Sequence, residues 1–145
     1  MINIRFINAA AKTLRAVEVD SSSSNQHEFN GVASLKRLFG YDRQILNATF
    51  CYISDEHQID GIGSLTWYDA RENDPDRSEY RLYFTEDNVV YNGEPGDLLV
   101  IGINERNQVQ VLIIKKYSVA FRTISSLFGI YGEQNSYVVR ENIML

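Results

Sequence analysis

DLLVIGIN at residues 97–104 and QVQVLIIKKY at residues 108–117 are two apolar stretches separated by the polar triplet ERN. Leu, Val and Ile dominate both stretches, as is typical of buried β-strands. A short polar connection between two such stretches predicts a tight hairpin of antiparallel strands. Because apolar residues run almost continuously through both strands, we expect the hairpin to be buried on both faces or to close a barrel.

The rest of the chain contains further short strands and two short helices. Strands are predicted at residues 13–20 (TLRAVEVD), 47–54 (NATFCYIS), 63–68 (GSLTWY), 79–84 (EYRLYF) and 136–139 (SYVV). Helices are predicted at residues 32–39 (VASLKRLF) and 118–128 (SVAFRTISSLF), each followed by a glycine. Six or seven short strands without βαβ alternation predict a mainly β fold with two short α-helices, a β-barrel or an open pseudobarrel.

The composition fits one domain and disfavours several classes of function. The chain has 145 residues, of which 44% are hydrophobic, so we expect a single domain over residues 1–145 with no room for a second. Fourteen basic and nineteen acidic residues give a net charge of −5, which disfavours capture of nucleic acid by a broad basic field. A single cysteine, no signal peptide and no apolar run of roughly 20 residues predict a cytoplasmic location without a membrane span.

The sequence lacks the residue patterns of common catalytic sites. None of the four lysines follows an acidic residue at the spacing of metal-dependent nucleases, although Asp76 and Glu79 imitate part of that pattern. His27 and His57 have no Cys or His partner at zinc-ligand spacing, and Cys51 lies in a predicted strand. We therefore expect no catalytic residue, metal or cofactor in this chain.

Two polar segments contain the side chains that proteins use to read DNA. The first is SSSSNQHEFN at residues 21–30, and the second is YDARENDPDRSEYR at residues 68–81. Arginine reads guanine through two parallel donors, Asn and Gln read adenine, and Glu or Asp accepts a hydrogen bond from cytosine. The acids beside the arginines have two alternative roles, holding the guanidinium groups in place or contacting cytosine directly.

The order of these segments resembles a known family of DNA-binding domains. After the first polar arm come a helix ending in Leu38-Phe39-Gly40, the long Arg/Glu arm, Pro95-Gly96-Asp97 before the hairpin, and a helix ending in Leu127-Phe128-Gly129. This order, over residues 13–129, is similar to the N-terminal effector-binding domain of EcoRII-type (type IIE) restriction endonucleases. The fold that this resemblance implies is a seven-stranded DNA-binding pseudobarrel, shared with the plant B-three domains.

The resemblance also implies a mechanism and partners. An N-arm (residues 23–30) and a C-arm (residues 68–81) would grip double-stranded DNA and read a short GC-containing, CCWGG-like site in the major groove. In this family the magnesium-dependent nuclease centre lies in a separate C-terminal domain, which we expect to be absent from this chain. The expected role is that of a monomeric recognition domain in a bacterial restriction-modification enzyme.

The predicted DNA contacts fall into two groups. Contacts to bases are predicted for Asn25, Gln26, His27, Glu28, Tyr68, Arg71, Arg77, Glu79, Tyr80 and Arg81. Contacts to phosphates are predicted for Ser23, Ser24, Lys36, Arg37 and Arg43. Tyr80 stands where the family has a lysine, and because tyrosine supplies no charged donor, the exact base sequence can differ from the CCWGG-like site that the resemblance implies.

Other interpretations compete with DNA binding. The arginines could form surface ion pairs with neighbouring acids, and the N-arm side chains could cap the following helix. The whole chain could instead be a protein-interaction or oligomerisation module, in which the acidic surface and the hairpin edges contact a partner. A small sugar- or nucleotide-binding barrel would require a deep apolar pocket, which the sequence does not indicate.

Overall fold

A computed structural model describes residues 4–20, 27–86 and 88–145 of the chain. Its strands within these ranges are β1 (Arg5–Thr13), β2 (Glu28–Phe29), β3 (Gln44–Ile53), β4 (Gln58–Asp69), β5 (Tyr80–Phe84), β6 (Leu98–Ile103), β7 (Val109–Ile114) and β8 (Val138–Met144). Its helices are α1 (Ala16–Val19), α2 (Lys36–Phe39) and α3 (Val119–Leu127), with 3₁₀ turns at Val32–Leu35 and Val90–Asn92. None of these described helices is long and apolar enough to cross a membrane.

The strands form one sheet in the order β2-β5-β4-β3-β7-β6-β1-β8. Neighbours are antiparallel, except that β3 and β7 run parallel. The sheet curls into an open half-barrel, which confirms the predicted mainly β pseudobarrel. The described ranges contain eight strands rather than seven, and one of them is the two-residue β2, which pairs with β5.

β6 and β7 form the predicted hairpin. Leu98 pairs with Ile114 and Ile103 with Val109, and every residue of β6 is buried. At Gly102 a Cβ atom would lie 2.5 Å from the ring of Phe6, so a side chain there would have to displace that ring. The hairpin is buried on both faces because apolar clusters cover it from inside and from outside.

The inner and outer apolar clusters lie on opposite faces of the curled sheet. The inner cluster surrounds the fully buried Trp67 and fills the half-barrel. The outer cluster packs Ile124 and Phe128, from α3 and its C-terminal end, against β6 and β7. α3 confirms the helix predicted at residues 118–128, and it begins where the Ser118 hydroxyl accepts a hydrogen bond from the Phe121 amide at 3.1 Å.

The prediction of a strand over residues 13–20 is wrong. Of that segment only Thr13 belongs to a strand, the end of β1, and Ala16–Val19 form α1. Glu18 turns inward, and its carboxylate accepts hydrogen bonds from the Arg15 amide at 2.9 Å and from Lys12 Nζ at 2.5 Å. These bonds close a helical turn and bury both charges, so the alternating polarity of the segment does not mark a strand surface.

The other predicted elements lie close to their expected positions. The strands predicted at residues 47–54, 63–68 and 79–84 correspond to β3, β4 and β5. The helix predicted at residues 32–39 begins as a 3₁₀ turn and continues as α2. The strand predicted at residues 136–139 is β8, which begins at Val138 and extends to Met144 along β1.

The sheet has two rims, which position the sites. Thr13 pairs with Leu98, Leu98 with Ile114, and Ile114 with Ile53, so these residues mark one rim, the Thr13 rim. β4 starts at this rim and runs for 12 residues to Asp69. Because a strand rises by about 3.3 Å per residue, the opposite rim, the Asp69 rim, lies up to roughly 35 Å away.

Candidate nucleic-acid interface

Residues 70–79 form an arm that leaves the sheet at the Asp69 rim and returns into β5. The Ala70 amide donates to the Glu79 carbonyl oxygen at 2.8 Å. Asp69 Oδ1 accepts hydrogen bonds from the backbone amides of Glu79 at 2.7 Å and of Arg71 at 2.9 Å. These bonds lower the pKa of Asp69, the Glu79 amide having the larger effect. Asp69 therefore ties together the two ends of residues 70–79, the part of the predicted C-arm that leaves the sheet.

Glu79 holds two arginines of the C-arm. Its Oε2 accepts hydrogen bonds from Arg81 Nε at 3.0 Å and Nη2 at 2.7 Å, and its Oε1 accepts one from Arg71 Nε at 3.5 Å. The hydrogen bonds and the positive charge of Arg81 lower the pKa of Glu79. The same hydrogen bonds are the largest cause of the raised pKa of Arg81. The three side chains are between 40% and 44% exposed. Glu79 thus orients both guanidinium groups while they stay accessible.

Glu28 and Tyr68 extend this cluster across neighbouring strands. Arg81 pairs with Tyr68 in the β4–β5 register, and its Nη1 lies 3.8 Å from Glu28 Oε1. The Tyr68 hydroxyl donates to the same oxygen at 3.3 Å, and burial together with Glu28 raises the pKa of Tyr68. The guanidinium carbon of Arg43 lies 5.4 Å from the centroid of the Tyr68 ring, within cation–π range. Tyr68, a predicted base contact, therefore lies next to Arg43, a predicted phosphate contact.

Tyr80 points to the other face of β5. Its ring stacks on Trp67 with a centroid distance of 4.8 Å, and its hydroxyl donates to the Tyr41 carbonyl oxygen at 2.9 Å. Trp67 is fixed in turn by donation from its Nε1 to the Gly40 carbonyl oxygen at 3.0 Å. Lys36 Nζ lies 4.8 Å from the centroid of the Tyr80 ring. Tyr80 connects the C-arm to the inner cluster and orients Lys36.

A cleft of about 590 Å³ lies between the last residues of the N-arm and the last residues of the C-arm. Its lining includes Glu28 and Asn30 at β2, Lys36 in α2, and residues 78–81 at the start of β5. Five predicted contact residues share this cleft: Glu28, Lys36, Glu79, Tyr80 and Arg81. The end of the N-arm and the end of the C-arm therefore form one surface.

Four predicted N-arm contacts lie outside the described residues, namely Ser23, Ser24, Asn25 and Gln26. His27 is described, has a φ of 52°, and packs its ring near Tyr83, Phe84 and Tyr91 at centroid distances of 6.0, 5.6 and 5.8 Å. Its Nδ1 is buried without a hydrogen-bond partner in the described part of the chain. Its carbonyl oxygen accepts from the Phe84 amide at 2.8 Å, which joins the N-arm to β5.

Arg37 and Arg77 are two predicted cationic contacts on the exposed surface. Both are exposed, and neither forms an ion pair with another residue of the described ranges. Arg37 lies on α2, beside Lys36, and Arg77 lies in the C-arm. Their guanidinium groups therefore have no competing carboxylate partner there.

Sequence reasoning missed Asp69 as a functional residue. Its role in fixing the C-arm depends on two backbone amides, one of which lies ten residues further along the chain. A usable signal was present, because Asp at the end of a strand and before a polar segment favours a turn that its side chain closes.

Two further chemical possibilities concern metal binding and thiol chemistry. Within the described ranges, no group of three or more His, Cys, Asp or Glu side chains is arranged to hold a metal ion. Cys51 lies in β3 and is half-buried, and burial together with Asp60 raises its pKa to about 12. The thiol is therefore protonated at neutral pH and is a poor nucleophile.

The fold is similar to that of a solved domain from Helicobacter pylori. The chain matches the N-terminal domain of Helicobacter pylori LlaJI.R1 with a TM-score of 0.59 and 7% sequence identity, over 94% of this chain and 99% of that one. No protein-family model matches the sequence, and no curated protein matches it. The similarity establishes a shared fold over nearly the whole length of both chains.

Proposed function

We propose that this chain is a DNA-binding domain that reads a short GC-containing site in the major groove of double-stranded DNA through its two arms. The observation that carries this proposal is the cluster at the Asp69 rim. Glu79 orients Arg71 and Arg81 there, and both arginines remain more than 40% exposed. A guanidinium group held in one direction forms two parallel hydrogen bonds to guanine with less loss of side-chain freedom.

The net charge favours recognition of bases over non-specific binding to the phosphate backbone of DNA. The chain has a net charge of −5, and carboxylates accompany the arginines of the cluster. Such a surface gains little from the general attraction between cations and phosphates. We therefore propose modest affinity for DNA in general and strong discrimination between base sequences.

The similarity of fold supports the same assignment. LlaJI.R1, whose N-terminal domain shares this fold, is a restriction-system protein. Together with the resemblance to EcoRII-type domains, this favours a recognition domain of a type II restriction endonuclease, with a magnesium-dependent nuclease centre in a separate domain. A single pseudobarrel has no two-fold axis, so a monomeric domain would contact a palindromic site asymmetrically.

Selection of bound duplexes from a random library tests the proposal. We expect enrichment of one short motif that contains G·C pairs. Absence of any enrichment at low salt, combined with a stable dimer in sedimentation, would contradict the proposal and favour the interaction module instead.

Arg81→Ala tests whether the oriented cluster reads bases. Binding to the enriched motif should weaken by about 1–3 kcal/mol, with relaxed preference at particular base positions. Arg5→Ala is the matched control, because Arg5 is an exposed arginine on β1, at the other end of the sheet order from β5. Arg37→Ala should weaken all duplexes equally, as expected for a phosphate contact. If Arg81→Ala also weakened binding to all duplexes equally, this result would contradict base reading by Arg81.

A further inference from the structure

A second cleft, of about 740 Å³, lies at the Thr13 rim, away from the arm that leaves the Asp69 rim. It is lined by five separate segments: the end of β1 with the start of α1, the Pro95-Gly96 turn before β6, the residues after β7, one side of α3, and residues 130–133. Its volume falls in the range of clefts that bind small organic ligands.

Asp97 fixes one wall of this cleft. The Asp97 carboxylate is buried and accepts hydrogen bonds from the backbone amides of Lys116 at 2.9 Å and of Glu94 at 2.8 Å. Gly96 has a φ of 94°, and a Cβ there would lie 3.2 Å from Lys116 Cδ. The Lys116 stem therefore lies directly against the Gly96 backbone, which explains the Pro-Gly-Asp motif before the hairpin.

Three cations line the cleft: Arg15, Lys116 and Arg122. All three are exposed, and none forms an ion pair within the described part of the chain. Glu133 is the one carboxylate in the lining. In a chain with a net charge of −5, this excess of unpaired cations makes the cleft locally attractive to anions.

Aromatic rings accompany the cations. Tyr117 and Tyr131 are 73% and 86% exposed, although both line the cleft. Lys116 Nζ lies 5.0 Å from the Tyr117 ring centroid, and Tyr117 has a φ of 69°, a strained conformation for a residue with a side chain. Exposed tyrosines beside unpaired cations provide surfaces on which a planar ring can stack.

Ser125 supplies a further polar group to the lining. It is 4% exposed, and its Oγ has no hydrogen-bond partner among the described residues. Buried hydroxyl groups are usually paired, so an unpartnered one next to a cationic cleft is consistent with a ligand that supplies the missing partner.

We propose that this cleft binds a nucleotide, whose phosphates contact Arg15, Lys116 and Arg122 and whose base stacks on Tyr117 or Tyr131. A free nucleotide and a nucleotide within a single strand share this chemistry. The inference goes beyond duplex recognition and does not rest on it, because no residue of the Asp69-rim cluster lines this cleft.

Isothermal titration calorimetry with ATP and with tripolyphosphate tests the proposal. We expect saturable binding of ATP, and binding of tripolyphosphate that is weaker by about tenfold because the inorganic anion cannot stack. Arg122→Ala should weaken ATP binding by about tenfold through loss of a charge-assisted hydrogen bond, and Tyr131→Ala should reduce the advantage of ATP over tripolyphosphate. Arg106→Ala, in the exposed turn between β6 and β7, is the control and should leave ATP binding unchanged.

Competition with octadeoxyadenylate distinguishes the two sources of the nucleotide. Displacement of ATP would identify a nucleotide of a single strand, and absence of displacement would identify a free nucleotide. The proposal is overturned by absence of saturable ATP binding at millimolar concentrations, or by equal binding of ATP and tripolyphosphate. Duplex binding by Arg122→Ala should equal that of the unmodified chain, which separates this test from that of the Asp69 rim.

Discussion

Two ion pairs of this domain differ in almost every physical respect. Lys12 and Glu18 are both fully buried, with Lys12 Nζ 2.5 Å from Glu18 Oε1. Arg81 and Glu79 are 41% and 40% exposed, with Arg81 Nη2 2.7 Å from Glu79 Oε2. The N···O distances are similar, so the difference between the pairs lies in their access to water and in what else each carboxylate holds.

The Glu18 carboxylate of the buried pair joins the backbone of Arg15 to that of Asn30, the last residue of the N-arm. Glu18 Oε1 accepts from the Arg15 amide at 2.9 Å, and Glu18 Oε2 accepts from the Asn30 amide at 2.7 Å. Lys12 Nζ also lies 5.6 Å from the centroid of the Tyr137 ring, and burial lowers its pKa although Glu18 opposes this. A pair without water cannot exchange partners, whereas the exposed pair can release a guanidinium group to a ligand. We infer that the first serves structure and the second recognition.

Lys12→Met should cause the largest loss of stability. The substitution leaves the Glu18 carboxylate buried without its countercharge, and breaking a buried pair in this way costs about 3–5 kcal/mol. Urea unfolding followed by circular dichroism measures this loss. A loss below about 1 kcal/mol would show that water reaches Glu18 and that the pair is not isolated from solvent.

Adding Glu18→Gln to Lys12→Met is the control for that measurement. The double variant buries no charge and keeps a side-chain oxygen that can accept from a backbone amide. It should therefore be more stable than Lys12→Met alone, although less stable than the unmodified chain. A double variant that is less stable than the single one would show that hydrogen bonds to the carboxylate outweigh the uncompensated charge.

Glu79→Gln should affect recognition and leave stability unchanged within experimental error, because exposed ion pairs contribute little to folding. Without the carboxylate, Arg71 and Arg81 lose their common anchor and must be immobilised when DNA binds. Discrimination between the selected duplex and a scrambled one should fall roughly two- to tenfold. Glu72→Gln, a substitution of an exposed carboxylate in the same arm, is the matched control for fluorescence anisotropy measurements of both duplexes.

The fold was largely predictable because its main elements follow local patterns. The β6–β7 hairpin was predicted because both of its faces are apolar, and α3 because its apolar spacing is helical and Gly129 follows it. The error at residues 13–20 has a specific cause: two charged residues, Lys12 and Glu18, occupy the interior as a pair. Rules based on alternating polarity assume that charges face water, so they place such a segment incorrectly.

The sites were less predictable because they depend on residues that are distant in sequence. Composition pointed to the C-arm, but the register that sets Arg81 opposite Tyr68 is a property of the folded sheet. The inward stacking of Tyr80 on Trp67 likewise follows from the phase of β5. Five segments line the cleft at the Thr13 rim, and the Pro95-Gly96-Asp97 motif is the one feature among them that is recognisable as a motif in the sequence.

The smallest expected effect is a pH dependence of stability that comes from Asp69, at the base of the arm that carries the exposed ion pair. Hydrogen bonds from the Glu79 and Arg71 amides lower the pKa of Asp69 below 3.8, the ordinary value for a carboxyl group that is free of them in the unfolded chain. Between these two pKa values the unfolded chain binds more protons, so the contribution of Asp69 is present above about pH 5 and is lost as the pH falls through its folded pKa.

Asp69→Asn removes this titration but keeps an Oδ1 that can accept from both amides. Stability at pH 7 should therefore change little, and the decrease in the urea midpoint between pH 5 and pH 3 should be smaller than in the unmodified chain. Glu72→Gln again provides the control, because the Glu72 carboxylate forms no hydrogen bond with other described residues, and it should leave the slope unchanged. Identical slopes for Asp69→Asn and the unmodified chain would mean that the arm is held by its backbone bonds alone, and the exposed cluster would then rest on Glu79 without support from Asp69.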